Sequence, residues 1–139
     1  MIGKQFFLAA LIMMSLFAVG HFGGFLQAAY AARHDPRLAD LTKAMQQYKT
    51  NFLGFQPSML DFREYFSLNF SVLLSLGAGL GFTTLAVVPD QPSVIRALSP
   101  IYVGAFSLLL GASAYFSVFQ GIVACTLIVL LFGLAWWFA

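Results

Sequence analysis

Between Gln5 and Ala32 the chain carries no Asp, Glu, Lys or Arg. A helix that crosses the hydrocarbon core of a bilayer needs about 20 mostly apolar residues in a row. One such run is enough to set the solvent in which a chain folds, and this sequence holds four. They lie at about 5–32, 58–88, 93–115 and 118–138, the second becoming apolar from Leu68. The runs are long and lack two-residue alternation, so they read as helices and not as strands.

Composition supports lipid as the solvent. Residues of the AVILMFWYC set make up 60% of the chain and charged residues 9%. A soluble domain carries about 25% charged residues, enough to cover its core. The net charge of +2 arises from few residues, and no basic run points to nucleic acid. Cys125 is the one cysteine, so no intrachain disulfide and no C-x-x-C redox pair can form. The first run exceeds the 7–15 apolar residues of a secretory signal. It is therefore read as a membrane helix, although Ala28-Ala29-Tyr30-Ala31-Ala32 resembles a cleavage site.

The fold class expected is an all-α membrane protein: one membrane domain, residues 1–139, with four transmembrane helices in an antiparallel bundle. Short links, Pro89 to Pro92 and Tyr115 to Gln120, make helices 2, 3 and 4 antiparallel neighbours. Helices 1 and 2 are joined by the long polar segment Arg33 to Pro57. Within it, Leu38, Leu41, Met45, Tyr48 and Phe52 recur at three- and four-residue steps. This spacing predicts an interfacial amphipathic helix over about 36–52, with a polar loop as the alternative. Pro100 predicts a kink, or a break between a short turn at Ser93–Ser99 and the span proper. Trp136 and Trp137 read as an aromatic belt. Orientation stays undecided. Lys and Arg counting places the long loop in the cytoplasm, whereas the short N-terminus with Lys4 favours the opposite.

Helices in lipid associate through small residues that let backbones approach. Ser67, Ser71, Ser75, Gly79 and Thr83 form a four-residue ladder on the second helix. Gly77 and Gly81 add a second strip beside it. The first helix offers Gly20, Gly24, Ala28 and Ala32. These surfaces are expected to pack against other helices, the serine hydroxyls bonding back to their own backbone.

Polar groups within a membrane are costly and so mark possible function. His21, Asp61, Glu64, Tyr65 and Asn69 gather toward the long-loop end of helices 1 and 2. Asp61, Tyr65 and Asn69 share a stripe, and His21 is within plausible reach of Asn69 or Glu64. The plainer reading makes Ser58-x-x-Asp61 a capping box with Asp in place of Glu, and His21 a hydrogen-bonded interhelical histidine. His21 and His34 match no metal-ligand spacing. No phosphate-binding loop, nucleophile elbow or metalloprotease motif occurs.

Three stretches carry a family likeness. They are His21-Phe-Gly-Gly, Met45-Gln-Gln-Tyr-Lys-Thr-Asn-Phe-Leu-Gly-Phe, and Ser58-Met-Leu-Asp-Phe-Arg-Glu-Tyr-Phe-Ser-Leu-Asn-Phe-Ser. Together they resemble an uncharacterised family of small four-helix bacterial integral membrane proteins with no assigned activity. The family's usual glycine before the Phe-Ser pair is replaced here in the Leu68-Asn69 region. The resemblance implies a multi-pass protein of the bacterial cytoplasmic membrane and supplies no reaction. The expectation is a non-enzymatic accessory or structural subunit whose partners are the lipid bilayer and other integral membrane subunits. No cofactor is required by the sequence. The alternative is a binder or enzyme for a lipophilic small molecule (quinone, lipid, pigment or haem) in a polar pocket around His21.

Overall fold

The structure, a computed structural model, describes residues 2–51, 53–89 and 91–139. Phe52, where the expected interfacial helix ends, and Asp90 of the second link lie outside the described residues. Five helices follow in chain order: α1 (Ile2–His34), α2 (Pro36–Gln47), α3 (Met59–Val87), α4 (Pro92–Tyr115) and α5 (Phe119–Phe138). Among the described residues there is no strand; an antiparallel bridge joins Lys49 to Ser58. Helices α1, α3, α4 and α5 are long and apolar enough to cross a membrane, the make-up of a multi-pass membrane protein.

Local chemistry sets several helix ends. The Asp35 side chain accepts the Arg37 backbone N–H at 2.9 Å, and Pro36 takes the first helical position of α2. Proline belongs there, because that N–H has no partner within the helix. α2 stops at Gln47, short of the 36–52 expected. Tyr48 turns extended, and backbone bonds then run from Thr50 N–H to the Pro57 carbonyl and from Met59 N–H to the Tyr48 carbonyl. The three- and four-residue spacing continues beyond Gln47, but pairing across the loop takes up those backbone groups instead.

Ser58 and Asp61 close the start of α3 reciprocally. The Ser58 N–H and hydroxyl both donate to the Asp61 carboxylate at 2.8 Å, and the Asp61 N–H donates to the Ser58 hydroxyl at 3.1 Å. This is a capping box built with the shorter acid. Pro100 lies within an uninterrupted α4, so the break considered between Ser99 and the span does not occur.

The chain forms two compact units, Met1–Phe17 with Ser75–Ala139, and Ala18–Leu74. In the first unit α5 buries Gly121, Cys125, Ile128, Phe132 and Ala135. Their alternating steps of four and three residues make one seam along the helix, the spacing that packs helix on helix at small crossing angles. α1 contributes Phe7, Ala10, Leu11 and Met14, all buried, and α4 contributes Ile95, Ser99 and Phe106. α4 packs on α5 through a turn with Schellman geometry. The Val118 N–H bonds to the Ser113 carbonyl at 2.8 Å and the Ser117 N–H to the Ala114 carbonyl at 3.1 Å. Ser117 has φ 55°, in the left-handed position usually held by glycine. The second unit, Ala18–Leu74, holds the end of α1, α2, the bridge between Lys49 and Ser58 and the start of α3.

Candidate functional site

Of the five polar residues singled out by sequence, Asp61, Glu64, Tyr65 and Asn69 are engaged by near neighbours in the chain, and His21 by a ring of α3. In the second unit the His21 ring stands edge-on to Phe70, with centroids 4.9 Å apart and planes at 75°. Among the described residues no hydrogen bond joins His21 to Asn69 or Glu64. The Asn69 amide instead donates to the Tyr65 carbonyl one turn earlier, at 2.9 Å. Tyr65 is exposed and meets Phe66 edge-on at 5.7 Å. Glu64 lies 3.7 Å from the neighbouring Arg63, both partly exposed. A pair of that kind contributes little, about 0–1 kcal/mol. The Asp61 carboxylate is taken up by Ser58, as described. His34 stacks on Tyr30 at 4.1 Å, with Nδ1 2.9 Å from the Tyr30 carbonyl. Among the described residues no three His, Cys, Asp or Glu side chains gather to hold a metal.

Hydroxyls along the apolar helices, Ser71 of the small-residue ladder among them, behave as short polar side chains do in such helices. Ser71 bonds back to the Ser67 carbonyl at 3.1 Å, Thr84 to Leu80 at 2.8 Å and Ser15 to Leu11 at 2.9 Å.

Among the glycines of α3 the close approaches fall on the second strip. A Cβ built on Gly81 would lie 2.4 Å from Leu11 Cδ2, and one on Gly77 would lie 2.5 Å from Met14 Cε. These two glycines therefore seat side chains of α1. At Gly20, Gly24 and Gly79 a Cβ would meet nothing within 4 Å, and all three residues are exposed. Gly23 is open in the same way. Ser71 is buried, Ser67 half-buried and Ser75 exposed.

The tightest side-chain constellation involves residues the sequence reading did not single out. Tyr102 and Phe132 stack nearly parallel, 7° between planes and 4.4 Å between centroids. Phe7 is edge-on to both, at 6.0 Å and 5.3 Å. The Tyr102 hydroxyl donates to the Gly77 carbonyl at 2.8 Å. Three helices thus meet at one aromatic set, and α3 is tied to it by a hydrogen bond. A tyrosine in a helix that also carries Arg96 and Pro100 gave no signal apart from its polar tip within an apolar run. Directly before Pro100, Ser99 is fully buried and its hydroxyl has no partner among the described residues.

No family model matches this chain, and comparison with curated proteins and with solved structures gives no match. Its class is set by the four apolar helices alone.

Proposed function

We propose that the chain is a non-enzymatic accessory or structural subunit of a larger membrane assembly. In this reading its four long helices form an antiparallel bundle across the bacterial cytoplasmic membrane, the short links before α4 and α5 reversing the chain, and α2 lies at the headgroup level. The bacterial setting is what the resemblance read in residues 18–80 implies.

One observation carries the subunit role: the open glycines of α1. Gly20, Gly23 and Gly24 fall within five positions of one helix, and none seats a neighbouring atom. Glycine is less favourable than alanine within a helix by roughly 0.8–1 kcal/mol per residue. Three of them cost α1 about 2–3 kcal/mol on that scale, and no described atom lies within 4 Å of where their Cβ atoms would stand. Lipid tails do not need glycine, since any apolar side chain suits them. A helix of another subunit does, because Gly20, Gly24 and Ala28 at four-residue steps let two backbones come together.

The test compares the native chain with Gly24→Leu after mild-detergent extraction. Co-elution with larger partners, lost in Gly24→Leu while the chain itself still folds, supports the reading. A lone species that runs at 15.2 kDa in both cases counts against it. A tightly held small molecule on the lone species would instead favour a pocket around His21.

A further inference from the structure

The segment between α2 and α3 is folded back on itself and presents an apolar tip. The bridge between Lys49 and Ser58 closes its base, reinforced by the two backbone bonds that join Tyr48 to Met59 and Thr50 to Pro57. At the far end Leu53 is 85% exposed and Phe55 74% exposed. Leu53 and Gly54 both have positive φ, 51° and 87°. For leucine that backbone costs about 1–2 kcal/mol, an outlay that sets the side chain outward. Apolar residues on a polar loop normally turn in toward their own protein. These two do not.

Two further facts identify what meets them. The first is reach. α3 has 29 residues and rises about 44 Å, the thickness of a bilayer with its headgroups. Met59, its first residue, stands nine residues before Leu68, where the run turns apolar. It therefore lies about 14 Å outside the hydrocarbon core when α3 spans, close enough for the loop to fold back onto the headgroups. Phe55 is four residues upstream and lies within about 14 Å of it. The second is charge. Between Asp40 and Asp61 the sequence holds Lys43 and Lys49 and no acid, and both lysines are exposed. Aromatic and leucine side chains flanked by lysine make the composition of an interfacial anchor, which combines burial of apolar area with attraction to anionic lipid.

We propose that the 48–59 loop is a membrane-surface anchor, its Leu53 and Phe55 tip inserted among the headgroups of anionic lipid and held there by Lys43 and Lys49. The proposal does not depend on the subunit reading, since it concerns only the bilayer that α1 and α3 cross.

The test places a nitroxide label at Phe55→Cys, and separately at Leu53→Cys, in the full chain carrying Cys125→Ala. Gln47→Cys, on the polar side of α2, serves as the aqueous reference. Each is reconstituted in vesicles of phosphatidylcholine, and of equal parts phosphatidylcholine and phosphatidylglycerol. Collision with oxygen reports lipid, and collision with a nickel chelate reports water. The expected result is an oxygen-to-nickel ratio at both tip sites several-fold above that at Gln47. The ratio should rise further with phosphatidylglycerol, and Lys43→Glu with Lys49→Glu should remove that rise. A tip as accessible to nickel as Gln47 overturns the proposal. So does a tip shielded from both reagents, which means a protein surface covers it. A ratio indifferent to phosphatidylglycerol overturns the anionic-lipid assignment.

Discussion

The Tyr102 hydroxyl of α4 donates a 2.8 Å hydrogen bond to the backbone carbonyl of Gly77 on α3. A carbonyl inside a helix is already used by its own helix, but it keeps a second lone pair. Gly77 has no side chain to cover it. The bond thus joins two helices at the place where Phe7 and Phe132 also pack on the tyrosine ring.

Tyr102→Phe keeps the ring and removes the bond. Interhelical hydrogen bonds in membranes contribute about 0.6 kcal/mol on average and up to about 1.7. A loss of about 1 kcal/mol is expected when the chain is unfolded by sodium dodecyl sulfate from mixed micelles. Tyr102→Leu should lose more, since the stacking on Phe132 goes as well. Equal stability of Tyr102→Phe and the native chain would show that the hydroxyl contributes nothing.

Ser99 gives the opposite sign. Its hydroxyl is buried and without a partner among the described residues, and such a group carries a desolvation cost of about 1–3 kcal/mol. Ser99→Ala should therefore leave stability unchanged or raise it by about 1 kcal/mol. A clear loss in the same unfolding titration would mean that the hydroxyl holds a partner, such as an ordered water.

The glycines of α3 should divide by position. Gly81→Ala forces its Cβ against Leu11, which is itself fully buried. Overpacking of that kind costs about 1–3 kcal/mol. Gly77→Ala presses on the terminal methyl of Met14, a flexible side chain able to move aside, and meets the Tyr102 ring only at an ordinary 3.9 Å, so it should cost less. Gly79→Ala opens onto free space and should change the isolated chain by less than about 0.5 kcal/mol. The order Gly81, Gly77, Gly79 is the checkable quantity, read from the unfolding midpoints.

Much of this architecture was legible in the sequence, for a simple reason. Twenty or more apolar residues without charge leave a chain few options, so the existence of four long helices follows from composition and length. Capping was legible too, because Ser58 and Asp61 stand three apart and need no distant partner. What lay hidden depends on which helix faces which. A spacing of four marks Gly20 and Gly24 as strongly as Gly77 and Gly81, yet only the second pair seats side chains within the chain. Tyr102 finds its partner 25 residues away, and no local pattern encodes that distance. The end of α2 was missed because an apolar spacing carries on past Gln47 while the backbone turns to pair Lys49 with Ser58. Asp61, Tyr65 and Asn69 shared a stripe in sequence, but Asp61 and Asn69 hydrogen-bond within one turn of themselves.

Ser117 holds a left-handed position in the turn between α4 and α5. A residue with a Cβ pays roughly 1–2 kcal/mol there, and glycine does not. Glycine also loses more conformational freedom on folding, which offsets part of the gain. Ser117→Gly should raise stability by about 0.5–1 kcal/mol. Ser117→Val, β-branched at the same φ, should lower it, and both are readable from the same titration.

The subunit reading stands or falls on association. Native mass spectrometry of the chain released from its own membrane in a mild detergent tests it most directly, since one spectrum reports protein partners and bound small molecules together. The account predicts complexes heavier than the 15.2 kDa chain, with other integral membrane proteins present in fixed ratio, which Gly20→Leu and Gly24→Leu disperse. A single 15.2 kDa species, unchanged by either substitution, would contradict it.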